Sequence, residues 1–350
     1  MKKCIISFCS LFALVTAGFA QDTVTVRDRT GKSDKLTTVV GTITAESVAG
    51  VKVKPGVGPE KEVPAGDIVD VVYEVRPAAK LKYNSAMQNE AKKAGPDAAK
   101  SLAEAEKDYN GVVAQIGSDE KAAKALRHIQ YKLALLKVAQ AGEDKVKQLE
   151  AADLLGKFRR EHANCWQYMP AARQQAQMLI DLDKFDSAAA VFDELAQNSD
   201  LPKAAKQEAD LLAIDVLMRA KNYTAAEKRV GSALAGLKPD DPQAERLKLY
   251  QIACTAGTAD LTKVEPQLKA AIDKAADIGL KALAYNTLGD VYAAKGQKQD
   301  AKWAYLWVDA VYSADRNEHL KAMERLAQVF KDLGDEDHAN KYREKLARMR

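Results

Sequence analysis

Residues 285–305, YNTLGDVYAAKGQKQDAKWAY, contain the pattern that decides the fold. Large apolar side chains recur at helical spacing before Gly296, and a second helical run follows that glycine. The large side chains of the two runs are Tyr285, Leu288, Tyr292 and Tyr305. Gly289 and Ala301 are small, which lets two antiparallel helices approach closely while the large side chains fill the space around them. The stretch therefore predicts a helical hairpin.

Similar pairs of helical runs occur elsewhere in the second half of the chain. Small residues at the position of Ala301 recur at intervals of 38, 75 and 38 residues, at Ala188, Ala226, Ala301 and Ala339. The long interval leaves room for one more unit near Val264, in which Pro266 either delays the start of the second helix or kinks it. A fixed period of this length predicts a solenoid of stacked hairpins.

The hairpin at 285–305 resembles the tetratricopeptide repeat at every position of its pattern except the closing proline, where Ser313 stands. The resemblance covers residues 166–350, and residues 78–165 are expected to hold further hairpins of the same stack, in a register that the pattern does not assign. It implies a mostly α-helical, right-handed solenoid whose first helices line a concave groove for a segment of a protein partner.

The resemblance also implies which residues face that groove. Carried over by position, they are Arg173, Gln177, Asp215, Arg219, Asn286, Asp290, Glu324 and Gln328. Their charges are mixed, and the lysine and asparagine cluster that grips a terminal carboxylate in some family members does not appear. The set therefore predicts a groove without a ligand class, and a solvated, unused polar face is the alternative.

Two tryptophans lie outside the core positions of the repeat. Trp303 and Trp307 are four residues apart, on one side of the second helix. Large aromatic side chains with a surface edge often anchor interfaces, so the pair is a candidate second contact. The alternative is packing against the neighbouring hairpin.

Residues 21–76 have a different pattern, in which valine and threonine alternate in short runs separated by glycine and proline. They predict four or five antiparallel strands in a small barrel or tight sandwich. Residues 41–47, 50–54 and 62–68 resemble the small SH3-like or Sm-like β-barrels that follow the signal peptide in exported proteins of planctomycete-type bacteria. Such barrels bind RNA or peptides. Tyr73 is the single aromatic residue of the segment, so a docking or positioning role is expected, without a base-stacking platform.

Residues 1–20 have the layout of a cleavable secretory signal. Lys2 and Lys3 precede a short apolar run, and Gly18 and Ala20 are small residues before a cut after Ala20. Gln21 stands where lipoprotein processing needs a cysteine. No later stretch approaches 18 apolar residues, so an exported protein, periplasmic or secreted and without an integral membrane span, is expected.

The sequence contains no motif that indicates catalysis. The four histidines have no metal-ligand spacing, and no glycine-rich phosphate loop is present, so neither catalytic residues nor a metal or cofactor is predicted. The net charge of +4 gives no electrostatic reason for nucleic-acid binding. Cys165 and Cys254 are expected to be separately buried thiols, with a disulfide as the alternative. A non-enzymatic interaction scaffold is favoured over a self-associating structural envelope component and over an enzyme acting on envelope polymer.

Overall fold

The computed structural model describes residues 21–28, 35–93, 97–117, 122–238, 241, 243–258 and 261–349. The predicted export signal at 1–20 lies outside the described residues. Within them, a small antiparallel sheet is followed by a long succession of α-helices. The change from alternating to helical periodicity near Pro77 coincides with the start of the first helix.

The sheet has five antiparallel strands in the order β4-β3-β2-β1-β5. Their bounds are β1 Asp22–Asp28, β2 Lys35–Ser47, β3 Gly50–Lys54, β4 Lys61–Pro64 and β5 Ile68–Val72. The first part of β2 pairs with β1 and its second part with β3. Where β2 changes partner, Gly41 lies so close to the carbonyl of Lys54 that a Cβ atom would overlap it. Glycine is therefore required at this bend.

The predicted barrel is not shown by this sheet. In the described part of the chain, the hydrogen-bonded order ends at β4 on one side and at β5 on the other, and the sheet is not closed. A short 3₁₀ helix, Ala65–Asp67, joins these two edge strands. The apolar face is covered by helices: Val24, Val53 and Val71 share one core with side chains of the first three helices. Helices therefore supply the cover that barrel closure would otherwise provide.

The described residues form fourteen α-helices. Their bounds are α1 Pro77–Glu90, α2 Ala98–Ile116, α3 Ala123–Ala141, α4 Lys145–Glu161, α5 Tyr168–Asp181, α6 Phe185–Gln197, α7 Lys203–Arg219, α8 Tyr223–Ala235, α9 Gln243–Thr258, α10 Leu261–Lys274, α11 Ile278–Ala294, α12 Lys298–Ala310, α13 Arg316–Asp332 and α14 Glu336–Met349. Consecutive helices pack against each other, and α7, α9, α11 and α13 also pack side by side in that order. Successive hairpins are thus stacked, with their first helices in one layer.

The hairpin predicted from residues 285–305 is formed by α11 and α12. Gly289 faces the Tyr305 ring, and a Cβ atom at Gly289 would overlap that ring. Ala301 is fully buried, as the close approach of the two helices requires. In the degenerate unit before it, α10 begins at Leu261 and contains Pro266, so of the two alternatives for this proline the structure excludes the delayed helix start.

The sheet is fastened to the helices through Trp166, in the turn between α4 and α5. The indole Nε1 donates to the Tyr73 hydroxyl at 3.0 Å, and Tyr73 donates to the carboxylate of Glu46. Arg127 of α3 forms an ion pair with the same carboxylate. Trp166 is 2% exposed. It is therefore buried between the sheet and the helices, although in sequence it lies in the turn that joins two helices.

A second polar cluster lies at the same junction. Asp70 of β5 is 3.4 Å from Nε2 of His128 and 3.1 Å from Nζ of Lys132, and Lys132 also pairs with Glu90 at 3.1 Å. Burial lowers the pKa of His128, against the opposite effect of the Asp70 carboxylate. Burial alone would raise the pKa of Asp70, but the imidazole and the Lys132 ammonium lower it below its usual range. The structure therefore favours neutral His128 beside ionised Asp70.

This arrangement predicts a loss of stability on mild acidification. Because the pKa of His128 is depressed in the folded chain, the unfolded chain takes up this proton first as the pH falls below about 6.5. Neutral His128 therefore contributes to the free energy of unfolding above that pH. This contribution is lost as the pH falls toward the lowered pKa of His128 in the folded chain. Replacing His128 with glutamine should make the free energy of unfolding less dependent on pH between 7 and 5, as measured by urea denaturation. Equal pH dependence in wild type and H128Q would contradict the assignment.

Candidate functional site

A cavity of about 570 Å³ lies over the layer formed by α7, α9, α11 and α13. Six of the eight predicted groove residues line it: Asp215, Arg219, Asn286, Asp290, Glu324 and Gln328. Tyr223, at the start of α8, and Leu261, at the start of α10, also contribute to its wall. The repeat period brings these six residues together, because equivalent positions of stacked first helices share one face.

The other two predicted residues lie one hairpin earlier, on α5, and do not line this cavity. Arg173 forms an exposed ion pair with Glu208 at 2.7 Å. The Gln177 amide donates to Asp181 at 2.8 Å. Both side chains are engaged locally, so the structure separates them from the rest of the predicted set.

Lys321 of α13 forms the centre of the cavity floor. Its ammonium donates to Oδ1 of Asp215 on α7 at 2.7 Å and to Oε1 of Glu318 at 2.9 Å. The Tyr250 hydroxyl of α9 donates to the same Asp215 oxygen at 2.6 Å. Burial opposes ionisation of Asp215, but the charge of Lys321 and these hydrogen bonds lower its pKa. An ion pair between residues 106 positions apart therefore joins α7 to α13, the two outer helices of the cavity layer.

Glu318 is fully buried, and its carboxylate also accepts hydrogen bonds from side chains of α9 and α11. Nη2 of Arg246, on α9, lies 3.4 Å from its Oε1. The Asn286 side chain donates to Oε2 and to the main-chain oxygen of Glu318, each at 2.9 Å. Asn286 is 2% exposed, so this predicted groove residue holds α11 against α13, although it also lines the cavity.

The mouth of the cavity has more accessible charges. Arg325 makes a two-pronged contact with Asp290, and the longer of the two hydrogen bonds is 2.7 Å. The Tyr305 hydroxyl donates to the same aspartate at 2.8 Å, and burial together with the Asp290 charge raises the pKa of Tyr305. Across the mouth, Arg219 of α7 pairs with Glu324 of α13 at 3.5 Å. Positive and negative groups thus alternate around the opening.

Sequence reasoning missed four further residues that line the cavity, Tyr250, Glu318 and Lys321 at the floor and Arg325 at the mouth. It also missed Arg246, which pairs with Glu318 from outside the lining. Glu318 and Lys321 are three residues apart and have the spacing of an ordinary surface ion pair on a helix. One pattern in the sequence could have revealed them. Glu318 lies on the same helical stripe as Ala322 and Leu326, and charged residues on an apolar stripe are unusual unless they are paired inside the fold.

The two tryptophans of α12 are at the surface. Trp303 is 60% exposed and Trp307 is 47% exposed. The Trp307 ring stacks on Tyr285 and Tyr312, with ring centres 6.0 and 6.3 Å away. Trp307 therefore combines packing against its own hairpin with an accessible edge, and Trp303 is the more open of the two.

The remaining candidates for chemistry lie inside the fold. Cys165 and Cys254 are both buried thiols in different hydrophobic clusters and are not joined in a disulfide. Burial raises the pKa of Cys254 to about 11, which disfavours the reactive thiolate. Among the residues with described positions, no group of three or more histidine, cysteine or acidic side chains is arranged to hold a metal ion.

The fold and this site define a helical-repeat protein with an N-terminal antiparallel sheet. No protein-family model matches the chain, and no curated protein matches it.

Among solved structures, the chain is similar to a tetratricopeptide repeat protein from Parabacteroides merdae ATCC 43184, with 14% sequence identity and a TM-score of 0.45 over 76% of this chain and 93% of that chain. It is also similar to the apo form of RapI, with 15% identity and a TM-score of 0.46 over 78% and 97% of the two chains. The chain is also similar to BtubC from P. vanneervenii, with 13% identity and a TM-score of 0.30 over 65% of this chain and 90% of that chain. At this level of similarity, the comparisons assign no partner and no activity to the chain.

Proposed function

We propose that this chain is a non-enzymatic interaction scaffold that binds a segment of a protein partner in the cavity over α7, α9, α11 and α13. The observation that carries the proposal is the convergence of six predicted groove residues on one cavity. Its volume of about 570 Å³ falls in the range of roughly 300–1,000 Å³ that is usual for ligand pockets. That space suits a few side chains of an extended or helical segment better than a folded domain.

The charges of the cavity suggest how such a segment is held. The floor pair of Glu318 and Lys321 is buried, whereas Arg219 and Arg325 at the mouth remain 22% and 29% exposed. The Arg219 and Glu324 pair is a single, partly exposed contact that contributes little to stability, so a partner's charged side chains can exchange with it at low cost. The proposal therefore favours a segment that carries both acidic and basic residues.

Site-specific photo-crosslinking in cells of the source organism tests this proposal. A benzophenone amino acid at Gln328, which is exposed and lines the cavity, should capture one defined protein partner. The same probe at Lys331, on the same helix but outside the cavity lining, serves as the matched control. Equal capture at both positions, or at neither, would count against a groove-bound partner.

The exposed aromatic residues of α12 favour a second candidate function, that of a self-associating structural component. If Trp303 and Trp307 mediate contacts between copies, light scattering should detect concentration-dependent oligomers that the W303A/W307A variant does not form. A strict monomer would exclude this alternative. An enzyme acting on envelope polymer is the less favoured hypothesis, because the described carboxylates of the cavity floor are held in ion pairs and hydrogen bonds.

The proposal includes export to the periplasm or the medium, with cleavage after Ala20, and a peptide-docking or positioning role for the N-terminal sheet. The layout of residues 1–20 supports the first point, and the resemblance of residues 41–68 supports the second. Among the helices that the structure describes, none combines the length and apolar character needed to cross a membrane. N-terminal sequencing of the protein from an envelope fraction tests the cleavage site.

A further inference from the structure

A second cavity, of about 450 Å³, lies between α4, α5 and α6. It lies outside the proposed groove and shares no lining residue with it. Three cationic side chains line it, Arg159, Arg160 and Lys184, against two acidic ones, Asp153 and Glu194. Arg159 is 4% exposed, which makes it one of the few buried charged side chains in the described part of the chain.

The guanidinium of Arg159 is only partly satisfied. Its Nη1 donates to the amide oxygen of Gln175 at 2.7 Å, and its Nη2 donates to Glu194 at 2.6 Å and lies 3.5 Å from the Tyr168 hydroxyl. Its Nε is buried and has no hydrogen-bond partner among the described residues. The Nε and Nη2 edge of arginine offers two parallel donors that match both oxygens of a carboxylate or two oxygens of a phosphate. Glu194 uses one of these two donors.

Two more cations line this cavity without forming an ion pair. Arg160 and Lys184 are exposed, and in the part of the chain that is described neither has an ion-pair partner. Gly156 lies beside them, and a Cβ atom there would be 2.7 Å from the Gln175 amide nitrogen and 3.4 Å from Nη1 of Arg160. The missing side chain therefore leaves room for both groups at the cavity.

We propose that this cavity binds an oxyanion, the carboxylate or phosphate group of a small solute or of a bound partner. The oxyanion accepts from the Nε and Nη2 edge of Arg159, and Arg160 and Lys184 supply the remaining positive charge. In the absence of the anion, Nη2 of Arg159 donates to Glu194, whose side chain is 65% exposed. The bound anion displaces the Glu194 carboxylate from this donor. A buried donor without a partner is costly, so the bound anion also removes that cost.

Binding of defined small probes tests the site on the full mature chain. The probes are glutarate, its neutral analogue glutaramide, and inorganic phosphate, titrated by calorimetry at constant ionic strength with chloride as the background anion. We expect glutarate or phosphate to bind and glutaramide not to bind, and the tighter of the two anions identifies the group that the site prefers. Binding of glutaramide as tight as that of glutarate, or no binding of either anion, would overturn the proposal.

Variants at the exposed positions avoid the risk of unfolding that attends substitution of Arg159. The R160Q/K184Q double variant should weaken anion binding about tenfold, since charge-assisted hydrogen bonds are lost. Replacing Glu194 with glutamine should instead tighten binding several-fold, because the competing carboxylate is removed. K157Q, on the exposed side of α4, is the control and should bind as wild type. Affinities that do not differ between E194Q, R160Q/K184Q and K157Q would reject the site without affecting the proposed groove.

Discussion

Replacing Lys321 with methionine is expected to lower the free energy of unfolding by about 3–5 kcal/mol. The change leaves Asp215 and the fully buried Glu318 with one cation fewer, and a buried charge without its partner is far more costly than an exposed one. Methionine keeps the length and apolar stem of the side chain, so packing is largely retained. Urea denaturation at pH 7 measures the effect, and hydrogen exchange locates it in α7 and α13.

The pH dependence of this effect has a defined sign. Because the pKa of Asp215 is lowered in the folded chain, its stabilising contribution is present above its usual value of 3.8 and is lost as the pH falls through the folded-state value. The difference between wild type and K321M should therefore shrink at strongly acidic pH.

The matched control for this prediction is K331M, on the same helix. Lys331 is exposed and has no ion pair among the described residues, so its substitution should change stability by less than about 0.5 kcal/mol. If K321M were as stable as K331M, the floor of the cavity would not hold α7 and α13 together.

Replacing Gly289 with alanine is expected to lower the free energy of unfolding by about 1–3 kcal/mol. The added methyl group overlaps the Tyr305 ring, and that ring has little freedom to move. It is 3% exposed, and its hydroxyl donates to Asp290. Because Tyr305 joins the hairpin to the mouth of the cavity, G289A should also disturb the Asp290 and Arg325 pair. Thermal and urea denaturation measure the first effect.

Gly231 provides the matched control, because it is also inside a helix but has open space where a Cβ atom would be. Alanine loses less backbone entropy than glycine on helix formation, so G231A should raise the free energy of unfolding by roughly 0.5–1 kcal/mol. The two glycine-to-alanine changes are thus expected to have opposite signs. Destabilisation of equal size in both variants would show that helix propensity, and not the contact with Tyr305, explains G289A.

Much of the architecture was predictable because it depends on local periodicity. The alternation of valine and threonine predicted the strands that contain Val24 and Val53, and the spacing around Gly289 and Ala301 predicted the α11–α12 hairpin. The repeat interval was sufficient to bring Asp215, Asn286 and their equivalents to one face, since residues at equivalent positions of stacked hairpins have equivalent surroundings. Arg173 and Gln177 lie outside the cavity because the network that closes it begins one hairpin later, at α7.

The pairing partners were not predictable from the same patterns. Lys321 meets Asp215 across 106 positions, a contact that depends on how far the stack of helices turns. Trp166 meets Tyr73 across 93 positions, a contact that depends on how the sheet packs on the helices. A small change of rotation between neighbouring hairpins accumulates along a solenoid, so no local pattern specifies which first helices meet. The open sheet has a similar cause. Its apolar face was evident in the sequence, but only packing decided that helices cover it.

For this protein, the sequence by itself determined the secondary structure, the repeat and the face on which polar groups gather, because these follow from the periods of helices and strands. The tertiary structure alone decided that Lys321 and Glu318 form the floor of the cavity on that face, with Arg246 paired to Glu318, and that Arg159 is buried with an unpaired donor. Burial converts an ordinary surface charge into a costly one that needs a partner, and burial depends on elements distant in sequence.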